Sequence, residues 1–323
     1  MKLDESAQAL IEITRQQGNR PMNEITVEAA RAQSNALRSR LQPEAPELAQ
    51  VRDGVIAGDG PEIPFRLYRK FSSTEVEPVV VFFHGGGFVL GDLDSHDVVC
   101  RLLCEGSGCT VIAIDYRRAP EHPFPAAVDD ALSATLWVRR NAATLGVDPK
   151  RMALAGDSAG ANLATVTALA MKRQGLEPAA LQILLYPVTD QHGRHESKER
   201  FATGYLLTRA SLDYYASQYL PRASDRHDWR ASPLLAEALE GLPEALVLTA
   251  GFDPLVDEGE AYALRLAQAG VRTTLRRFPG QVHGFVTRGK VIPEAQEAID
   301  EATALLRAKF FQKATAPIGA KGI

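Results

Sequence analysis

The sequence predicts an α/β protein built on a mostly parallel eight-stranded sheet flanked by helices. Two observations carry that prediction: eight short apolar, β-rich runs along the chain, and amphipathic stretches between most of them. A third places ligand chemistry on the sheet, because glycine-rich turns begin at the carboxyl ends of two of these runs. The strand candidates are Val51 to Ile56, Ile63 to Tyr68, Val79 to Phe83, Thr110 to Asp115, Arg151 to Ala155, Leu181 to Pro187, Ala245 to Ala250 and Thr273 to Phe278. The first two have no helical pattern between them, which predicts an antiparallel edge. Helical patterns cover Asp97 to Glu105, Pro125 to Asn141, Ala159 to Arg173, Asp257 to Gln268 and Pro293 to Phe310. The last puts Ala295, Ile299, Ala302, Leu306 and Phe310 on one face. Two segments break the alternation. Residues 1 to 41 hold amphipathic patterns at Ala7 to Ile13 and Val27 to Leu41, before any strand. Residues 190 to 230 are polar with interleaved aromatic and leucine positions, among them Phe201, Tyr205, Leu206, Tyr214, Tyr215 and Tyr219.

Three separated pieces of the chain assemble into one chemical argument. Gly156-Asp157-Ser158-Ala159-Gly160 joins a buried strand to a small-residue helix. Glycines at both ends of the turn remove side chains where strand and helix crowd, which leaves Ser158 in a strained conformation with its hydroxyl presented. The helix N-terminus beneath it favours negative charge. Taken alone, the pattern also fits an ordinary glycine-rich turn, and its context decides. His84-Gly85-Gly86-Gly87-Phe88 follows the run Val79 to Phe83 and supplies glycines whose N–H groups can turn inward, so Gly86, Gly87 and Ala159 are the candidate oxyanion donors. His283, in Gln281-Val282-His283-Gly284-Phe285, follows a strand-like run and a Pro279-Gly280 turn, and can exchange a proton with Ser158. Asp253, in Gly251-Phe252-Asp253-Pro254-Leu255, follows another strand and can accept the second imidazole N–H. Asp257 and Glu258 compete for that role, but acids there suit the opening of a helix. The order Ser, acid, His specifies acyl transfer through a serine.

With HGGGF, Asp115-Tyr116-Arg117-Arg118-Ala119-Pro120-Glu121, GDSAG, Asp253 to Gly259 and His283-Gly284-Phe285 in this order, residues 45 to 310 resemble the hormone-sensitive-lipase family of α/β-hydrolases, and in particular its bacterial GDSAG esterases. The resemblance implies Ser158, Asp253 and His283 as a triad and Gly86, Gly87 and Ala159 as oxyanion donors, the same residues reached from the motifs. It further implies a helical cap, giving an N-terminal cap part at 1–45, a catalytic core at 46–189 and 231–311 and a cap insertion at 190–230, while the small, polar, glycine-containing composition of 312–323 predicts a disordered tail. Phe88 stands where the family often carries tryptophan or tyrosine, and Val256 where arginine is common. Phe88, Phe201, Tyr205 and Leu206 are the candidates for substrate contact, with packing inside the cap as the competing account of the aromatic positions. The expected activity is hydrolysis of short- to medium-chain carboxylic esters. An amidase or deacetylase acting on N-acyl or aryl acetyl compounds would use the same acyl-enzyme. A binding protein of this fold, like the plant hormone receptors that have lost the histidine, is the alternative of a different class.

Composition narrows the remaining classes. A chain of 323 residues with 45% hydrophobic content suffices for a large core. The net charge of −4, with acids and bases interspersed, offers no basic stripe for nucleic acid. Cys100, Cys104 and Cys109 lack paired spacing and read as buried small hydrophobes. His192 and His195 read as solvated loop residues without a third ligand, so no metal and no cofactor are expected. The acidic start of the chain lacks a leader pattern, and no run reaches membrane-spanning length, which predicts a cytoplasmic protein without membrane contact. Its partner is a small ester substrate, bound by a monomer or homodimer. The segment Asp115 to Pro125 reads as a structural brace with room for a cis proline.

Overall fold

The computed structural model of the chain describes residues 2–311 apart from positions 19, 59 and 73. One sheet organises it: β1 (Gln50–Ile56), β2 (Ile63–Arg69), β3 (Glu77–Phe83), β4 (Thr110–Ile114), β5 (Val147–Asp157), β6 (Leu181–Leu185), β7 (Glu244–Phe252) and β8 (Thr273–Val282). The strands lie in the order β1-β2-β4-β3-β5-β6-β7-β8. β2 runs antiparallel to both β1 and β4, and the other neighbours are parallel. The fold class, the strand count and the antiparallel edge agree with the sequence.

The central strands are apolar throughout because both faces are covered. Val79, Val81 and Phe83 of β3 point into one core, and the alternate Val80 and Phe82 point into the other. The helices are α1 (Glu5–Gln16), α2 (Val27–Ala36), α3 (Arg38–Leu41), α4 (Asp97–Ser107), α5 (Ala126–Arg140), α6 (Ala142–Leu145), α7 (Ala159–Arg173), α8 (Glu196–Arg200), α9 (Arg209–Tyr219), α10 (Val256–Gln268) and α11 (Glu294–Phe310). α5 and α7 build the first core, joined by Tyr262, Ala263 and Leu266 of α10. α4 and α11 build the second, and all five positions expected on one face of α11 are buried there. Cys100, Cys104 and Cys109 are buried free thiols in this second core. Burial pushes the thiol of Cys104 up to about 12 and that of Cys109 up to about 11, so both are held protonated and inert.

Three local expectations need correction. The Pro279-Gly280 pair does not end the last strand. β8 continues through it to Val282 after a register shift between Ala250 and Phe252. As an edge strand β8 can accommodate a proline without losing an interior ladder. The Asp4 N–H donates to the Gly280 carbonyl at 3.0 Å and the Gln281 amide donates to Asp4 at 3.0 Å, so the N-terminal segment covers this edge. Second, the helical pattern from Val27 to Leu41 divides at Leu37 into α2 and α3. The break lets Ala30 join one core while Leu37 and Leu41 reach the other. Third, His195 is not merely solvated: its Nε2 pairs with Asp190 at 2.9 Å.

The expected brace forms around Ala119-Pro120 and Phe124-Pro125, which are both cis peptides. Arg31 of α2 clasps Glu121 and donates to the carbonyls of Val89 and Ala119, while Arg117 pairs with buried Asp130 at 2.8 Å. The tail expected at 312–323 lies outside the described residues.

Candidate active site

β5 and α7 meet at Ser158, which has φ 53° and ψ −116°. A non-glycine residue occupies such a conformation only where the surroundings over-determine it. Here they do: the Ser158 N–H donates to the Leu185 carbonyl at 2.8 Å, and its own carbonyl accepts from Asn162 at 3.1 Å and Val188 at 3.2 Å. The flanking glycines are required by contact rather than by dihedral angle. A Cβ on Gly156 would lie 2.6 Å from the Phe83 oxygen, and one on Gly160 2.5 Å from the Phe83 carbonyl carbon. The turn is therefore pressed against the end of β3, where the glycine loop starts.

β7 and β8 end beside this turn and bring their loops together. His283 Nε2 lies 2.9 Å from Ser158 Oγ, and His283 Nδ1 lies 2.7 Å from Asp253 Oδ2. Asp253 is fully buried, and its other oxygen accepts the Leu255 N–H at 2.8 Å. With Asp253 accepting a hydrogen bond from Nδ1–H, the lone pair on Nε2 faces the serine hydroxyl. The Tyr186 ring packs edge-on against His283 at 4.8 Å between centroids and fixes the imidazole plane. The competing acids sit elsewhere. Asp257 accepts the Ser197 N–H, and Glu258 is occupied at the junction described below.

The glycine loop is oriented by hydrogen bonds on its outer side. His84 Nδ1 holds the Gly85 carbonyl at 2.8 Å, and the Leu90 N–H donates to the Gly86 carbonyl at 2.8 Å. In a planar trans peptide the N–H points opposite the carbonyl, so the Gly86 and Gly87 N–H groups face away from those contacts. Gly86 and Gly87 have φ of 121° and 62°, values that side-chain-bearing residues rarely adopt. Among the described residues neither N–H has a hydrogen-bond partner, and the Ala159 N–H opens α7 without an intrahelical acceptor. All three glycines, Ser158 and His283 border one cavity of about 610 Å³.

A buried network behind the loop was not assigned from sequence, although its members lie inside the quoted motifs and beside them. Asp157 Oδ1 accepts the Gly85 N–H at 2.8 Å and lies 3.0 Å from His96 Nε2, while His96 Nδ1 meets Ser95 Oγ at 2.9 Å. Burial opposes ionisation of Asp157, yet the charge and hydrogen bond of His96 and the Gly85 N–H together hold its carboxyl below the usual range. The His84 ring stacks on Tyr116, whose hydroxyl donates to the His84 carbonyl at 2.7 Å. The turn at Ser158 and the glycine loop are thus tied together by one carboxylate.

The candidates for substrate contact divide. Leu206 lines the cavity, together with Leu212, Tyr215 and Tyr219 of the same segment. Phe201 and Tyr205 do not: Phe201 is 4% exposed, and the two rings pack on each other and on Phe252 as part of the second core. Phe88 borders the cavity, but its side chain is 2% exposed and stacks on Tyr219 with centroids 3.8 Å apart, so it serves packing. Sequence missed Tyr215, whose ring lies over Gly87 so closely that a Cβ there would come within 2.6 Å of it.

At the junction of the 190–230 segment with the core, Glu258 is fully buried at the start of α10. It accepts the N–H groups of Thr189 at 2.8 Å and Asp190 at 3.1 Å and pairs with Lys198 at 2.7 Å. Burial pushes its carboxyl up, and Lys198 counters that shift. Asp190 in turn accepts from Gly193 and His192 and pairs with His195, which raises the imidazole above its ordinary value. This chain of charges anchors the segment's entry beside the cavity.

Comparison with known proteins agrees with the geometry. Residues 80–287 match the alpha/beta hydrolase fold family. The chain is 46% identical to a Mycobacterium tuberculosis protein named carboxylic ester hydrolase LipN, over 80% of this chain and 70% of that protein. It is 40% identical to ethyl acetate hydrolase of Pseudomonas putida, over 86% of this chain and 89% of that one. Among solved structures, an ester hydrolase from the metagenome of Lake Arreo superposes with a TM-score of 0.91 at 41% identity, covering 95% of this chain and 98% of that one. A thermostable esterase from Pseudomonas putida reaches 0.93 at 35% identity, covering 97% and 99%.

Proposed function

Because the chain belongs to the α/β-hydrolase family, in its hormone-sensitive-lipase type, we propose that Ser158, His283 and Asp253 hydrolyse short- to medium-chain carboxylic esters through an acyl-enzyme on Ser158. The chain is a carboxylic ester hydrolase, as its relatives over most of its length are. The observation that carries the residue assignment is the continuous contact from Ser158 Oγ to His283 Nε2 at 2.9 Å and from His283 Nδ1 to Asp253 at 2.7 Å.

The steps follow from these contacts. His283 Nε2 takes the Ser158 proton as Oγ attacks the ester carbonyl, and Asp253 stabilises the imidazolium. Negative charge developing on the carbonyl oxygen meets the N–H groups of Gly86, Gly87 and Ala159, which are pre-oriented and need little reorganisation. The imidazolium returns its proton to the departing alkoxide, leaving an ester of Ser158. Water then repeats the cycle: His283 takes its proton, the hydroxide oxygen attacks the acyl carbon, and the proton goes back to Ser158 as the acid leaves.

Residues 1–45 and 190–230 serve as a cap in this reading. Support comes from Met22, Leu37, Leu206 and Leu212 lining the cavity and from Tyr215 lying over Gly87. No helix among the described residues is long and apolar enough to cross a membrane. A cavity of about 610 Å³ falls within the range typical of small-molecule sites, about 300–1,000 Å³. Across p-nitrophenyl esters from acetate to palmitate, kcat/KM is expected to peak among the short chains and fall toward palmitate. A maximum at palmitate would contradict the chain-length assignment, and cleavage of anilides in preference to all esters would favour an amidase.

A further inference from the structure

The cavity contains a cation that the hydrolytic steps do not use. Arg288 closes the short turn Phe285–Arg288 directly after His283 and Gly284. Its guanidinium folds back on the Gly284 carbonyl and donates to Thr287 Oγ1 at 3.0 Å. It borders the same cavity as Ser158, His283 and the oxyanion glycines.

What sets Arg288 apart is its place beside His283 with no carboxylate of the described residues in pairing distance. Arg66 pairs with Asp53, Asp94 and Asp97, Arg69 with Glu77, and Arg117 with Asp130, whereas Arg118, Arg226 and Arg265 donate to backbone carbonyls away from the catalytic histidine. Among the described residues no carboxylate lies within 4.0 Å of the Arg288 guanidinium. The groups that act on it are the Tyr186 and Tyr215 phenols and, beyond pairing distance, Asp157, which is already committed to His96 and the Gly85 N–H. Burial pulls the guanidinium below its ordinary value, as expected of a cation taken out of water without an anionic partner. Arginine nevertheless stays charged, and an uncompensated buried charge is costly.

We propose that Arg288 receives a carboxylate carried by the substrate, which makes this hydrolase selective for esters that bear a free carboxylate close to the scissile bond. The inference rests on the ester-hydrolase reading and names its substrate class. A neutral ester leaves the cation desolvated and unmatched. A substrate carboxylate supplies the missing charge, and the Nε–Nη2 edge of the guanidinium, left over once Nη1 has bonded Gly284 and Thr287, suits it geometrically. Because Arg288 is folded against the residue next to His283, the carboxylate it holds lies near the reacting carbonyl. Both placements within the substrate fit this chemistry: on the acyl side, as in monomethyl succinate, and on the alcohol side, as in acetoxyacetate.

The test compares kcat/KM for monomethyl succinate with methyl pentanoate, and for acetoxyacetate with propyl acetate. In the wild type at least one anionic ester is expected to exceed its neutral counterpart by about tenfold or more, the scale of one charge-assisted contact. Whichever pair shows the preference identifies the side that carries the carboxylate. Arg288→Met should lower that ratio by about tenfold or more, chiefly through KM, and Arg288→Lys should give an intermediate ratio. If Arg288 only holds the Gly284 turn, both esters of a pair slow together and the ratio stays constant, which overturns the proposal. Calorimetry with Ser158→Ala reads binding without turnover. There monomethyl succinate or acetoxyacetate should bind more tightly than its neutral counterpart, and equal or undetectable binding of both anionic esters overturns the proposal as well. Hydrolysis of p-nitrophenyl butyrate by the wild type decides the ester-hydrolase reading separately.

Discussion

Ser158→Ala is expected to lower kcat/KM for p-nitrophenyl butyrate by about 10⁴-fold or more while leaving the protein folded. The large effect follows from the removal of the oxygen that lies 2.9 Å from His283 Nε2, which eliminates the covalent route. The proposed donors Gly86 and Gly87 survive the substitution, because their orientation is set by His84, Leu90 and Asp157 rather than by the serine side chain. Residual hydrolysis above the uncatalysed rate is therefore consistent with the mechanism. Folding is preserved because the alanine methyl group occupies less space than the hydroxymethyl group, and the backbone bonds of residue 158 to Leu185, Asn162 and Val188 remain. An unchanged melting temperature alongside lost turnover is the expected pair of results. Retention of more than a hundredth of the activity would remove Ser158 from the nucleophile's place.

Gly160→Ala should have the largest effect on stability, about 3 kcal/mol or more, or prevent folding altogether. The added methyl would meet the Phe83 carbonyl carbon at 2.5 Å, the His84 carbonyl oxygen at 2.7 Å and the Phe83 oxygen closer still. These are backbone atoms of β3 at the centre of the sheet and of the loop that follows it. No side-chain rotation relieves the overlap, so either α7 or the glycine loop must shift. Both shifts separate Ser158 from Gly86 and Gly87, and any folded fraction should be impaired in turnover as well. Gly58→Ala is the matched control: nothing lies within 4 Å of its Cβ position, and its stability should stay within about 0.5 kcal/mol of the wild type. Chemical denaturation of the three proteins measures both effects. Equal stability of Gly160→Ala and the control would mean that α7 and β3 are not in this contact.

Much of the sheet was legible because its strands are buried on both faces. Val79 to Phe83 and Leu181 to Leu185 are fully buried strands with no polar face to confuse their reading, and α7 is buried from Ala159 to Met171. Edges and ends were less legible. β8 passes through Pro279 and Gly280 because an edge strand can bulge there, a property of its position that local composition does not reveal. The division at Leu37 depends on which of two cores each side chain reaches.

The site divides along the same line. Ser158, Asp253 and His283 could be picked out because each follows a strand within its own motif, and the three side chains lie within hydrogen-bonding distance. Phe201, Tyr205 and Phe88 were chosen as aromatic positions near the site. Aromatic spacing is the same for a ring in a pocket wall and for one stacked on Tyr219 or Phe252, so side-chain direction could be learned only from the fold. Asp157, His96 and Arg288 went unassigned for a different reason. Their roles depend on what surrounds them: a shared carboxylate behind Gly85 in one case, and in the other the lack, among the described residues, of a carboxylate in pairing distance. The pairing Asp157 with His96 joins residues of two motif regions, and nothing in either region by itself indicates the contact.

An acyl-enzyme at Ser158 is tested by trapping the nucleophile. Wild-type protein is incubated with a p-nitrophenyl alkylphosphonate, the released p-nitrophenolate is counted per chain, and the modified residue is located by peptide mass spectrometry. The mechanism predicts one adduct per chain, on the peptide carrying Ser158, with ester hydrolysis falling in proportion to labelling and no adduct in Ser158→Ala. Stoichiometric labelling at another residue, or full hydrolysis by protein phosphonylated on Ser158, would contradict an acyl-enzyme at this serine.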